Sequence, residues 1–450
     1  MGLDAPPRRE APLRPPIARS VLTNFAIQIL GAFLSLGNVL LVAKILGPTG
    51  RGTVTFMTAI AYLTSQLATL GVQWASGNFA GSEPETRPAL ATNALLFAAF
   101  LGGIASGVVA GLIALVPAIG GHVDPTMRWI ALAVIPWLVL QNYLIVLVLA
   151  DYGFRAFNTA MLLIPITNVT VNGLLAALDI LTAPRAFSTW VGAELLATGV
   201  LAFYVQSRLA GFGRPDVLLA RRSLVFGLKA HIGRTLLLGN YRLDQWIVGA
   251  VAGARQLGLY SVAVAWAESL FYLPTALQAV QRPDVVRASR HKAAQMAATA
   301  FRAITLASTP LVIGLIVAAP ILCVEIVGEQ FQGSVEELRI LAPGAFGIIA
   351  LKLLGNTLTA QGKPMLESAA IGLAFALTLV LDILLIPSHG GLGASIASTA
   401  AYTLGGVAVA LTFSRGLGLP LRELLPRSGE VPHLLRQFRA GLQRWRPADQ

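Results

Sequence analysis

Twelve apolar runs divide the chain, at 20–44, 53–77, 90–117, 128–150, 156–181, 187–210, 224–250, 257–281, 297–327, 337–361, 365–387 and 391–413. Each can cross a bilayer as a helix, because about 20 apolar residues rising 1.5 Å apiece span the hydrocarbon. The segments between them are short, and none is large enough for a domain outside the membrane. The pattern predicts an all-α integral membrane protein with about 12 transmembrane helices.

One run breaks the apolar rule. Between Leu224 and Val251 the chain carries Lys229, His231, Arg234, Asn240, Arg242, Asp244 and Gln245. On a helical wheel His231, Arg234, Arg242 and Gln245 fall within roughly 80° of one another. A cation at the bilayer centre costs roughly 2.5–3.5 kcal/mol on insertion scales, so this stripe is expected to face a wet interior and not lipid. The first run has a polar face of its own, made by Asn24, Gln28, Ser35 and Asn38. Together the two faces predict a passage that is neutral on one side and cationic on the other.

The chain also repeats itself. Leu46-Gly47-Pro48-Thr49-Gly50-Arg51-Gly52 precedes the second run, and Ala252-Gly253-Ala254-Arg255-Gln256-Leu257-Gly258 precedes the eighth, about 206 residues later. Leu178-Asp179-Ile180-Leu181 with Pro184 recurs about 203 residues on as Leu381-Asp382-Ile383-Leu384 with Pro387. Two matches in one direction at nearly one offset predict two parallel six-helix lobes with a site between them. The lobes are placed at 20–210 and 224–413, joined by a cytoplasmic linker at 211–223. A disordered basic tail is expected at 1–19, since the first run is too long for a signal-peptide core. Residues 414–450 are expected as a second basic tail, read either as a surface helix, since Leu434, Leu435, Phe438, Leu442 and Trp445 share one helical face suited to an anionic membrane surface, or as mostly disordered.

Charge sharpens this picture. Only 12% of residues are charged and 55% are hydrophobic, against about 25% charged in soluble domains. The net charge of +12 does not indicate nucleic-acid binding, because the basic residues lie in the tails and between apolar runs. Arg8, Arg9, Arg14, Arg19, Arg87, Arg155, Arg208, Arg214, Arg221, Arg222, Arg282, Arg287, Arg290, Lys292, Arg302 and Lys363 fall on the side of the N-terminus, with seven more arginines from Arg415 to Arg446, facing only Lys44, Arg51, Arg128, Arg185, Arg255 and Arg339 opposite. By the positive-inside rule both termini are cytoplasmic. The single cysteine, Cys323, excludes a disulfide framework and a cysteine metal site. No nucleotide-binding loop and no metal-spaced His/carboxylate cluster occurs, so no enzyme, metal or cofactor is expected. A coupling ion, H+ or Na+, or the substrate gradient itself is left to drive transport.

Leu46-Gly47-Pro48-Thr49-Gly50-Arg51-Gly52, Asn240-Tyr241-Arg242-Leu243-Asp244 followed by Gly258-Leu259-Tyr260-Ser261-Val262-Ala263, and Gln361-Gly362-Lys363-Pro364 with Gly391-Leu392-Gly393-Ala394 resemble bacterial polysaccharide-biosynthesis flippases of the Wzx type. These belong to the multidrug/oligosaccharidyl-lipid/polysaccharide (MOP) exporter superfamily, and the resemblance covers residues 20–413. It implies two six-helix lobes in a MATE-like V, alternating access, and residence in the bacterial inner membrane. It also implies a lipid-linked oligosaccharide, an undecaprenyl-pyrophosphate sugar, as substrate. A polysaccharide polymerase or glycosyltransferases are implied as partners, besides membrane lipids. The first half departs from the pattern, with Arg185-Ala186-Phe187-Ser188 where the second has a Gly-rich turn.

The chemistry assigns roles within that frame. A pyrophosphate cannot cross about 30 Å of hydrocarbon unaided, and forked guanidinium donors pair with its oxygens two at a time. Arg234 and Arg242 are expected on the pyrophosphate, with Lys352 and Lys229 as further cations. Lys229 has a second reading, snorkelling to the interface. Asn24, Gln28, Asn38 and Gln245 supply neutral contacts. Glu268, Asp244 and Glu194 are read either as coupling carboxylates or as partners in structural ion pairs, and Asp179 and Asp382 as caps of the turns that follow them. A cation-coupled multidrug exporter of the MATE type, a peptidoglycan-precursor lipid flippase and a membrane-embedded glycosyltransferase or polymerase are the alternatives. The absence of a carboxylate on the first polar face weighs against the drug exporter, and the short loops weigh against the enzyme.

Overall fold

Hydrocarbon offers the backbone no hydrogen-bond partners, so each apolar run satisfies its own N–H and C=O groups by coiling into a helix. The computed structural model describes residues 17–116 and 123–425, and among them there is helix almost throughout and no strand. The tail predicted at 1–19 falls mostly outside the described residues, as does the surface helix predicted from Leu434 to Trp445.

The helical stretch Ile17–Ala68 bends at Gly47, where φ is 67°, and so yields two spans, α1 (17–46) and α2 (48–68). A turn then leads α2 on through Val72–Ser82. The first half is completed by α3 (Arg87–Leu115), α4 (Pro125–Ala150), α5 (Phe154–Ala177) and α6 (Ala183–Arg208). Next, α7 (Val217–Ile247) ends in a wide π turn, and Gly253 with φ 86° separates it from α8 (Gly253–Glu268), which continues as Tyr272–Arg287. Then come α9 (Arg290–Pro320) and α10 (Gln332–Ala350), the latter prolonged by a π turn at Leu351–Gly355. The last stretch, Pro364–Leu417, bends at Gly390 (φ 55°) into α11 (364–389) and α12 (391–417). Nine described stretches are long and apolar enough to cross a membrane. The bends at Gly47, Gly253 and Gly390 resolve them into the twelve predicted spans. Only glycine adopts such backbone angles without steric cost.

Two expectations need correction. The linker at 211–223 is already helical from Val217, because the Asp216 side chain accepts the Leu219 N–H at 2.9 Å and caps α7. The second repeat pair is not equivalent in conformation. α5 stops at Ala177 and Asp179 takes φ 53°, whereas α11 runs straight through 381–387 and turns only at Gly390. Asp382 is therefore not a cap but a fully buried residue of a helix interior.

The first repeat pair explains how the halves meet. A Cβ on Gly52 would lie 1.7 Å from the Ala254 carbonyl oxygen, and one on Gly258 1.8 Å from the Pro48 carbonyl oxygen. Under the repeat offset, Ala254 answers to Pro48 and Gly258 to Gly52, so α2 and α8 touch backbone to backbone through a reciprocal contact about a pseudo-two-fold axis. At its other end α2 is held by α7: a Cβ on Gly71 would lie 2.3 Å from the Gly227 carbonyl oxygen. There Arg222 pairs with Glu83 at 2.9 Å, and Asn93 donates to the Asp216 carbonyl at 2.8 Å. α2 is thus clasped by the second half at both ends. Large apolar side chains on α3 and α9, such as Phe100 and Val317, point outward, as lipid-facing helices require.

Candidate functional site

Between the two clasps the halves separate around a cavity of about 770 Å³. α1 brings Gln28 and Ser35 to it, α2 Tyr62, α7 Arg242, α8 Glu268, Tyr272 and Thr275, and the π turn after α10 Lys352. π turns insert an extra residue into the helical ladder and recur at functional sites. Here the turn carries the cation.

Arg242 and Glu268 form a two-pronged ion pair, Nη1 to Oε1 at 2.8 Å and Nη2 to Oε2 at 3.1 Å. Both side chains keep about a third of their surface open, at 34% and 28%. Lys352 Nζ donates to the Thr275 hydroxyl at 2.7 Å and sits 5.9 Å from the Phe271 ring centroid. Among the described residues no carboxylate is within ion-pair distance of it. Among the described residues the cavity lining therefore holds two cations against one carboxylate, with an ammonium free to take an anion. Glu268 thus makes the kind of ion pair that was one of its two readings from sequence.

Two features adjoin the cavity. The first is an apolar groove of about 310 Å³ between α1 and α8, with Ile29, Phe33 and Leu36 facing Ala265 and Leu273. It shares Ser35, Glu268 and Tyr272 with the polar cavity. Phe33 is 69% exposed on its edge, so the groove leads from the polar cavity to the outer surface of the helices. The second is a polar pocket of about 520 Å³ toward the Gly52–Gly258 contact, lined by Asn38, Gln245, Asn168, Asn172, Trp190 and Glu194 among others. It shares Ser35, Tyr62, Arg242 and Glu268 with the cavity. Asn172 donates to Asn38 at 2.8 Å, and Gln141 donates to Glu194 at 2.9 Å. Glu194 is thus hydrogen-bonded within its own half and forms no ion pair among the described residues.

The sequence-predicted residues divide accordingly. Gln28, Arg242, Lys352 and Glu268 line the cavity, while Asn38, Gln245 and Glu194 line the pocket. The side chains of Asn24, Lys229 and Arg234 lie outside the described residues. His231 packs at the Gly71 contact and not in the cavity. Asp244 does not reach the cavity either, being rotated some 200° from Arg242 on the helix. It is 3% exposed within the second half, where it accepts from Tyr260 at 2.5 Å and Ser398 at 3.2 Å. Its predicted alternative role in an ion pair is absent among the described residues. Asp382 lies within Coulombic reach of Asp244, fully buried, and neither of its oxygens has a hydrogen-bond partner among the described residues. A carboxyl in that setting costs stability unless it holds a proton or an ion. Among the described residues no group of three or more His, Cys, Asp or Glu could hold a metal.

Sequence reasoning missed Asn168 and Asn172. They stand four residues apart on α5, and that i, i+4 spacing of two amides in an apolar run was the available signal.

Comparison with known proteins gives this geometry its context. Residues 41–336 match the family described as polysaccharide biosynthesis protein. No curated protein matches the sequence. Among solved structures, the lipid II flippase MurJ in an inward closed conformation is similar over 90% of this chain and 89% of its own, with a TM-score of 0.71 and 13% identity. An inward-facing multidrug resistance MATE transporter of the MOP superfamily matches over 90% and 99%, with a TM-score of 0.65 and 11% identity. A MOP superfamily transporter from Pyrococcus furiosus, described as having a binding pocket of reverse polarity, matches over 90% and 95%, with a TM-score of 0.59 and 12% identity. At these identities the likeness is one of fold: the two-lobed architecture expected from the repeat, of the MATE-like kind that the resemblance implied.

Proposed function

The chain belongs to the polysaccharide biosynthesis protein family, and from that premise we propose that it translocates an undecaprenyl-pyrophosphate-linked oligosaccharide across the bacterial inner membrane by alternating access. One observation carries the reading: the cationic cavity opens along its side into an apolar groove. A polyprenyl tail is already soluble in the bilayer, so only the pyrophosphate and sugar need shelter. The groove between α1 and α8 lets the tail stay in lipid while the head enters. Lys352 takes one phosphate as a free ammonium. Arg242 takes the other by exchanging the Glu268 carboxylate for phosphate oxygens, a swap between two anions of matching fork geometry. Both termini are cytoplasmic in this reading, and the enzymes that build and polymerise the glycan are the partners.

Flux into proteoliposomes tests it. Fluorescent undecaprenyl-pyrophosphate sugar should be moved, and a cationic dye should not. Dye export without glycolipid movement would make the protein a drug exporter. Movement of the peptidoglycan precursor alone would make it a lipid flippase of that narrower kind.

The coupling site in this proposal is the buried pair Asp244 and Asp382, with the ion a proton or sodium. Asp382→Asn is expected to abolish stimulation of flux by a proton or sodium gradient while leaving the unfolding temperature no lower than wild type. Full stimulation in the variant would remove these carboxylates from coupling.

A further inference from the structure

The polar pocket beyond Arg242 differs in kind from the cavity it adjoins. Among the described residues its ionisable lining is balanced, Arg51 and Arg242 against Glu194 and Glu268, and the other polar groups are amide, hydroxyl and indole, set among valine and alanine side chains. Asn168 and Asn172 are 6% and 1% exposed, and the amide oxygen of each lacks a hydrogen-bond partner among the described residues. A buried acceptor left unpaired is destabilising, so these two oxygens are poised for donors from a ligand. Trp190 lines the same pocket, with its ring stacked at 5.6 Å on Phe187, which is wholly buried. Planar amides that accept and donate at once, beside a rigid indole that covers apolar C–H faces, recognise a ring bearing many hydroxyls and no net charge.

We infer that this pocket is a monosaccharide subsite for the sugar next to the pyrophosphate, with Asn168, Asn172 and Trp190 setting which sugar is accepted. The inference rests on the flippase reading, and the shared wall supplies its geometry. Arg242 borders both spaces, so a phosphate on its guanidinium places the first sugar across that wall. The hydroxyls donate to Asn168 Oδ1 and Asn172 Oδ1, and one ring face lies on Trp190. The volume of about 520 Å³ falls within the range of small-molecule sites, ~300–1,000 Å³.

Equilibrium binding to the purified full chain tests this with five probes: undecaprenyl pyrophosphate alone, and the same lipid bearing one glucose, galactose, N-acetylglucosamine or N-acetylgalactosamine. Wild type is expected to bind at least one glycosylated probe about tenfold more tightly than the bare lipid, the worth of two or so neutral hydrogen bonds. Asn168→Ala and Trp190→Ala should erase that preference and leave affinity for the bare lipid unchanged, which also certifies their fold. Trp190→Phe should retain most of it. A wild type that binds none of the four sugars better than the bare lipid overturns the subsite, as do variants that keep the preference. A wild type that binds none of the five probes removes the flippase reading itself and the subsite with it.

Discussion

Lys352→Ala abolishes export of surface polysaccharide in cells that depend on this protein, and Arg242→Ala does the same, with both variants inserted at normal levels. The expectation follows from charge accounting. Removing either residue leaves one cation against one carboxylate in the described lining, and a pyrophosphate entering the cavity meets no excess positive charge. A hydrogen bond to a charged group is worth about 1.5–3 kcal/mol, so each loss should weaken headgroup binding by roughly 10- to 150-fold. Lys352→Arg should preserve part of the activity, because the charge stays while the Thr275 contact at 2.7 Å must be remade by a bulkier head. Glu268→Gln removes the carboxylate that competes with phosphate for Arg242, so binding of the bare lipid should tighten while turnover falls as release slows. The measurement is glycolipid flux and equilibrium binding on the same preparations. Full export by Lys352→Ala and Arg242→Ala together would remove the cationic cavity from the mechanism.

Gly258→Ala, and equally Gly52→Ala, opens the protein at the α2–α8 contact. Each added methyl would meet a carbonyl oxygen at 1.8 Å or 1.7 Å, well inside van der Waals contact. Overpacking costs about 1–3 kcal/mol where side chains can yield. Here only backbone stands opposite, so the cost reaches at least the upper part of that range and shifts a two-state equilibrium by roughly 150-fold. Under the proposed alternating access transport should stall, because that cycle passes through a state closed at this end. A cysteine placed at Thr55, which lines the pocket just inside the contact, should react with a membrane-impermeant maleimide at least ten times faster in the variants. Cys323 adds little background, being fully buried. Unchanged labelling together with normal export would show that the glycine contact is not a gate.

The sequence made the spans and their pairing legible for definite reasons. Apolar length announces a membrane helix whatever its neighbours. The Gly47–Gly52 repeat carried its own meaning, because small residues at a fixed offset are what a backbone-to-backbone contact about a pseudo-two-fold axis requires. Arg242 and Gln28 could be placed in a polar interior because a charged or amide group in a long apolar run avoids lipid. Which partner a charge takes was not legible. That Glu268 pairs with Arg242, whereas Lys352 rests on a threonine and a phenylalanine ring, depends on how α7, α8 and α10 rotate against one another, and no single-helix pattern encodes this. Asp382 shows the same limit from the other side. Its repeat partner Asp179 sits in a turn, but α11 continues past 382 and carries the acid into the core. A wheel does separate Asp244 from Arg242, and its place outside the cavity could have been drawn from that angle alone.

The most direct test of the central claim is photo-crosslinking in living cells from position 272. Tyr272 stands where the polar cavity meets the apolar groove, so a benzophenone amino acid there reports what occupies the passage. The adduct expected is a polyprenyl-pyrophosphate glycolipid, lost when Lys352 and Arg242 are both replaced by alanine. Adducts to ordinary phospholipids alone, in cells whose polysaccharide export is intact, would contradict the account.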